Sequence, residues 1–437
     1  MASPNIALNQ PKTLNGWAMF DWANSAFALV ITVAVFPEYF NSQSNDVIKI
    51  LGSSVPNTAL FAYLVSGAYL LIALVSPWLS GIADAGGKRL WFLRFFTTMG
   101  AISCILLFFF QGMSTLWIGC ICFVLAMIGF AGGLVFYNSF LPLIATPDLY
   151  DWISARGFAL GFIGSVILLL FNLLMILYPS FFGLPEEGTL SVRIVFITVG
   201  VWWIGFAQIP FRRLPPDEKQ EGQVSKMAKK GWQEIKAVWG EIKEYKQLKR
   251  FLVSFFFYSA GTQTILFLAS TFASDELNFE SQELILVILI LQILAIAGAY
   301  GFAALSTRVG NRNSILTMLV IWLAICLTGY FVTGKAEFYG IAGAVGLVMG
   351  GIQSLSRSTY AKLIPSKDDV TSYYSFYDVV EKVAIVLGTA SFGVLDAITG
   401  SMRVSLLMLA FFFIVGIIVL LSFRLPKLPA PDVELVD

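Results

Sequence analysis

Twelve apolar stretches of about twenty residues, six on either side of one basic segment, leave this chain few ways to fold. Inside a hydrocarbon core the backbone must satisfy its own hydrogen bonds, so each stretch is expected to be a spanning α-helix. The expected spans are 16–40, 59–80, 92–111, 116–145, 155–178 and 194–211, then 251–272, 284–305, 314–333, 339–364, 374–397 and 404–423. Charged residues make up 13% of the chain, against about 25% in an average soluble domain, too few to coat a globule of this length. A chain that crosses so often and keeps little outside implies passage of something across. Its net charge of +1 gives no basis for a nucleic-acid partner.

The cations set an orientation. Only Lys49, Arg193, Lys335 and Arg403 fall on the outer side if the N-terminus is cytoplasmic, and Arg357 and Lys382 lie within spans. All other Lys and Arg then sit in cytoplasmic segments or at their edges, as the positive-inside rule requires. Both ends and the central segment are therefore expected in the cytoplasm. The first span, flanked by Lys12, runs too long for a signal peptide and has no cleavage pattern. With short external loops and no Asn-x-Ser/Thr sequon, a multi-pass protein of a bacterial inner membrane is the expected setting. Cys104, Cys120, Cys122 and Cys326 lie inside spans as small apolar residues, with no disulfide framework or metal-ligand spacing.

The domain plan follows: 1–211 as a six-helix bundle, 212–250 as a cytoplasmic linker, and 251–437 as a second bundle with a short tail. In the linker, Trp232, Ile235, Val238, Trp239, Ile242 and Tyr245 recur at helical spacing among lysines. An amphipathic helix is expected there, joining the halves and lying apolar face down on anionic lipid headgroups. The halves also echo one another. Gly132-Gly133 precedes Pro147 as Gly350-Gly351 precedes Pro365, and Gly86-Gly87-Lys88 is matched by Gly310-Asn311-Arg312. The paired glycines in the fourth and tenth spans are expected to permit close helix packing.

The stretch Gly81-Ile82-Ala83-Asp84-Ala85-Gly86-Gly87-Lys88-Arg89 resembles the loop motif of the major facilitator superfamily. Its glycines suit a tight turn, and Asp84 suits a neighbouring helix N-terminus or a cation, holding one conformation shut. Lys88 and Arg89 double as topology anchors. Arg308 stands where the second copy would carry Asp84, so the latch is expected to be asymmetric. Three further stretches resemble the vacuole-effluxer (autophagy-related amino-acid exporter) branch of that superfamily. They are Gly16 to Phe27 with its Asp21-Trp22-Ala23-Asn24-Ser25-Ala26-Phe27 string, Phe136-Tyr137-Asn138-Ser139-Phe140-Leu141-Pro142, and Gly350 to Ser358. The resemblance implies an all-α membrane protein of two six-helix bundles related by an axis along the membrane normal. It further implies alternating access to a cavity lined by helices one, four, seven and ten. Export of neutral amino acids is what it implies for fungal members, and for this chain an amino acid is the inherited expectation.

Read on their own, the buried polar residues point to the same place. Asp21, Asn24 and Ser25 form a narrow polar stripe on a bulky helix. Arg357 is expected in the inner half of the tenth helix, and Tyr377, Asp378, Glu381 and Lys382 near the start of the eleventh. Unpaired charges there are costly, so Arg357 is expected to pair with Asp378 or Glu381, and Lys382 with the other acid. Such a network suits a zwitterion, whose carboxylate would meet Arg357, and equally a gate. With no histidine in the chain, a proton as coupling ion would have to ride on Asp21, Asp378 or Glu381. Tyr137, Asn138 and Gln263 complete the candidate set. No phosphate loop, nucleophile set or cofactor motif argues for an enzyme. The rival readings are another solute, such as a sugar derivative, drug or lipid headgroup, and a non-transporting receptor or scaffold on the same fold.

Overall fold

Each expected span forms one long helix in the computed structural model, which describes residues 7–50, 53–217, 233 and 236–425. The helices of the first half are α1 (Pro11–Gln43), α2 (Asn57–Gly86), α3 (Arg89–Phe109), α4 (Met113–Ile144), α5 (Tyr150–Leu177) and α6 (Leu190–Arg213). Those of the second are α7 (Lys246–Leu277), α8 (Gln282–Val309), α9 (Asn311–Phe331), α10 (Lys335–Leu363), α11 (Val370–Thr399) and α12 (Met402–Leu421). Most run about one turn past the expected boundary at the face where the cations gather, called the basic face below. There the extra turns are polar and need no hydrocarbon around them. On the opposite face a short antiparallel hairpin, Val47–Ile50 with Ser53–Pro56, links α1 to α2.

The two halves meet along α2–α11, α5–α8, α5–α10 and α4–α11. Between α8 and α10 the backbones almost touch. A Cβ added at Gly298 would overlap the Leu347 carbonyl, and one at Gly350 the Ala295 carbonyl. In the first half, a Cβ on Gly129 of α4 would stand 2.5 Å from the Gly100 Cα of α3. The glycines of the fourth and tenth helices therefore serve close packing. The turn glycines of the two copies also match: Gly87 (φ 60°) ends α2 and Gly310 (φ 82°) ends α8, both in backbone that side chains resist.

One element has no counterpart in the sequence pattern. From Phe27 to Val35 the α1 backbone widens into a π-helix, directly after the Asp21–Ser25 stripe. Such widened turns recur at functional sites because they re-aim side chains within a continuous helix. Here they carry Ala28, Leu29 and Val33 towards the space between the halves.

Of the linker helix, Trp232 and Ile235 lie outside the described residues, and 236–244 is helical. Val238 and Ile242 are buried in the protein's own apolar core, contrary to a face laid wholly on lipid. Trp239 stacks on Phe376 of α11 at 5.5 Å, and the Tyr373 hydroxyl donates to Glu241. Upstream, Asp217 accepts the Leu90 and Trp91 N–H groups (2.7 and 2.8 Å), capping α3. The linker prefers these partners because α3 and α11 both begin at the basic face with free N–H groups and aromatic side chains. Gly350→Leu or Gly298→Val is expected to abolish the monodisperse folded peak in size-exclusion chromatography. Gly301→Ala, with nothing within 4 Å of its new methyl, is expected to leave that peak unchanged.

Candidate functional site

Between the halves lies a cavity of about 340 Å³, walled by α1, α2, α4 and α5 on one side and α7, α8, α10 and α11 on the other. Asn24, Ser25, Asn138, Gln263, Tyr377, Glu381 and Lys382 all line it, with Asp21 and Arg357 at its floor. The helix spacing explains the convergence. Asp21, Asn24 and Ser25 share one face of α1, and Asp378, Glu381 and Lys382 one face of α11. Asp21 is ten residues past Pro11, about 15 Å along the helix, deeper than its distance from Gly16 implied.

The floor is an ion pair that joins the halves. Arg357 Nη1 stands 3.1 Å from Asp21 Oδ2, with both side chains almost fully buried. The guanidinium also donates to Asn138 Oδ1 (3.4 Å), Ser154 Oγ (2.9 Å) and the Ser154 carbonyl (2.9 Å). Its planar faces lie against Phe158 (4.2 Å) and Trp17 (4.7 Å). Tyr137, stacked between Trp17 and Phe20, donates its hydroxyl to Asp21 (2.8 Å). The expected pairing of Arg357 with Asp378 or Glu381 is therefore corrected. Those acids lie on the neighbouring helix of the same half, whereas Asp21 faces Arg357 directly across the junction. Lys382 holds both instead, at 3.1 Å from Asp378 and 3.4 Å from Glu381. Gln263 donates to Glu381 (3.1 Å).

Two residues of this floor went unremarked in the sequence. Ser154 bridges the halves, receiving from Arg357 and donating to the Ser354 carbonyl at 2.8 Å. Gly157 makes the pair possible, since a Cβ there would overlap Asp21 Oδ2 and stand 2.9 Å from Arg357 Nη2. The signal was present as Gly157, Gly161 and Gly164, a small-residue stripe on α5; Gly161 faces Ser25 and Gly164 faces Trp22.

Below the floor, two latches close the basic face. In the first, Asp84 accepts the Thr371 and Ser372 N–H groups (3.3 and 2.7 Å), capping α11 of the other half. Arg89 pairs with Asp84 at 2.9 Å and reaches Thr371 Oγ1 and the Asp368 carbonyl. Gly87 makes the turn; Gly81 and Gly86 are buried in the helix before it, and Lys88 bonds back to Ala83 through its N–H. Because Asp84 caps α11, Asp369 at that helix start has no capping bond of its own. Burial pushes the Asp369 carboxyl up, and Asp84, Glu241 and Asp368 push the same way.

The second latch reverses the polarity. Its carboxylate, Asp151, sits at the start of α5 and accepts from Ser306 (2.8 Å), Asn311 (2.7 Å) and Lys362 (2.7 Å), all in the second half. Arg308 is exposed and takes no part. The asymmetry expected from Arg308 is thus present as a swap, with the acid at the start of α5 instead of in the α8–α9 turn. Among the described residues, every hydrogen bond and ion pair between the two helical halves lies from the Asp21–Arg357 floor to the basic face. No cluster of His, Cys, Asp and Glu among them could hold a metal ion.

Removing one partner of a buried pair typically costs about 3–5 kcal/mol, while replacing both with apolar residues is close to neutral. Arg357→Met alone is accordingly expected to melt well below the parent in a detergent thermal-unfolding assay. The Asp21→Leu/Arg357→Met double variant is expected to recover most of that loss. For Asp369→Asn the sign runs the other way. A carboxyl raised in the fold opposes it once ionised, so the variant should melt higher at neutral pH and lose its advantage below about pH 4.

Residues 9–427 match the family described as "Vacuole effluxer Atg22 like". An uncharacterized MFS-type transporter of Bacillus subtilis (strain 168), YxiO, is 29% identical over 94% of both chains. Autophagy-related protein 22-2 of Neosartorya fischeri is 25% identical over 87% of this chain and 75% of its own. The fold is shared with the major facilitator superfamily transporter FucP in its outward conformation, at a TM-score of 0.71 and 14% identity over 95% of this chain and 98% of that one. Floor, latches and a polar cavity between two six-helix halves thus sit in a chain that belongs to the vacuole effluxer Atg22-like family, a multi-pass membrane transporter of the major facilitator fold.

Proposed function

We propose that the chain is a secondary transporter that moves a small amine-bearing solute, of the amino-acid class, by alternating access. One observation carries the reading. The cavity is lined by polar side chains from both halves and is closed on one side by bonds made only between those halves. A rocking motion that breaks them would open the cavity to the basic face. By the positive-inside rule that face is cytoplasmic, in a bacterial inner membrane, and the conformation described is the one closed to the cytoplasm. The linker 212–250 joins the bundles, and its described helix 236–244 packs on α11 beside the first latch.

A cavity of about 340 Å³ lies at the small end of the roughly 300–1,000 Å³ of ligand pockets, which suits a metabolite. Arg357 has its donors engaged and its faces covered, so in this state it is a gate residue. The groups that face the solute are Glu381, whose side chain is 24% exposed, and Lys382 beside it, with Asn24, Ser25, Gln263 and Tyr377 around them. They offer an acid to an ammonium group, and amide and hydroxyl donors to a carboxylate. The amino-acid class is supported by this match and is what the resemblance to the vacuole effluxers implies.

The test is counterflow in proteoliposomes loaded with neutral amino acids, sugars or nucleosides. Exchange of an amino acid is expected, with Lys382→Met lowering it at least about tenfold through loss of one charge-assisted contact. Exchange of sugars or nucleosides instead would discard the substrate class. Absence of any exchange by folded protein would favour the receptor reading.

A further inference from the structure

The charges around the cavity do not cancel. At the floor Asp21 and Arg357 pair one to one. In the wall above, Asp378 and Glu381 share the single ammonium of Lys382. No other Lys or Arg lines the cavity among the described residues. The remaining groups facing these acids are neutral: Gln263 and Tyr258 from α7, Tyr69 from α2, and Tyr377 beside them on α11. Arg357, on α10, is the next cation and is already paired. One carboxylate therefore lacks a cation in a membrane interior, a cost of several kcal/mol for an ionised acid.

The shortfall has a visible address. Asp378 Oδ2 is buried with no hydrogen-bond partner, while Glu381 opens on the cavity. One positive charge arriving at Glu381 would leave Lys382 to Asp378 and balance the group. Two carriers of that charge fit the space, a proton on the carboxyl and the ammonium group of a solute. They exclude each other because they neutralise the same charge. Asn24, almost wholly buried on the opposite wall, has an amide oxygen without a partner, a further acceptor for a donor-rich ligand.

We propose that Asp378, Glu381 and Lys382 form a site for one additional positive charge, at which a proton and the substrate's ammonium compete. Binding of the amine displaces the proton from the carboxyl to the cavity water, leaving a carboxylate–ammonium pair. Proton and solute are then exchanged rather than carried together. The inference rests on this cavity being the transport site.

Potentiometric difference titration of the purified full-length protein tests it without knowledge of the substrate. At neutral pH the parent is expected to hold one more proton than Glu381→Gln. Asp378→Asn, which leaves one acid for one lysine, is expected to lose the same single proton while eluting as a folded monodisperse peak. Alaninamide, a cationic amine probe, is expected to shift the parent's proton-binding midpoint down by about one pH unit per tenfold excess, and lactate is not. Equal proton counts in parent and Glu381→Gln would overturn the site. A midpoint unmoved by alaninamide, or moved equally by lactate, would overturn the competition. Solute counterflow that persists in Glu381→Gln without pH dependence would sink the exchange and leave the transport reading standing.

Discussion

The Asp21–Arg357 pair is the contact on which the rest of the structure depends. It sits where the two halves meet and is all but closed to water. Among the described residues neither ion pairs with an opposite charge of its own half, and Asp21 has there the Tyr137 hydroxyl. Arg357 reaches across to α1, α4 and α5 at once, and α5 can come close enough only because Gly157 has no side chain. Closing the halves satisfies both ions, and parting them demands new partners or water. The position of the pair thus decides where the cavity ends and which face is sealed.

The latches repeat that logic at the surface. A carboxylate of one half meets a helix N-terminus or a lysine of the other, so closing the halves adds donors to its charge; Asp84 is also paired with Arg89 of its own half. The two latches are built from equivalent places in the repeat, the α2–α3 turn with the start of α11 and the α8–α9 turn with the start of α5. Yet the acid changes sides, from the turn in the first latch to the start of the facing helix in the second. A duplication explains the shared geometry. Physical chemistry explains why the swap is tolerated: either arrangement buries one carboxylate against donors of the opposite half.

Much of this was legible in the residues. Length and apolarity give the twelve helices, since a continuous apolar stretch of about twenty residues satisfies its own backbone in hydrocarbon as a helix. The glycines of α4 and α10 pointed to close packing, and Asp84 pointed to a helix N-terminus or a cation; in the fold it meets the start of α11 and Arg89. What the sequence hid are contacts between halves. Arg357 was matched to Asp378 and Glu381 because spacing relates residues along one helix and adjacent helices. Spacing says nothing about a residue more than three hundred positions away such as Asp21. Asp151 and Lys362 were each visible as charges at helix ends, without any mark of their union. The linker helix showed its apolar face but not its partner, which turned out to include α11 as well as any surface beyond.

A gate must close without locking, and the buried ion pair suits that requirement. Its Coulomb attraction in a low dielectric is large, but so is the cost of taking both ions out of water, and the two nearly cancel. An apolar contact of the same area would gain on closure with nothing to oppose it. The ion pair contributes little net stability to either state while excluding every mismatched arrangement, because a half-made pair is worse than none. The same reasoning separates the floor from the wall above it. Asp21 and Arg357 balance and need no ligand, whereas Asp378, Glu381 and Lys382 are one positive charge short. A balanced pair is suited to hold a conformation, and an unbalanced group to wait for an occupant. The two groups line one cavity, the balanced pair at its floor and the unbalanced group in its wall.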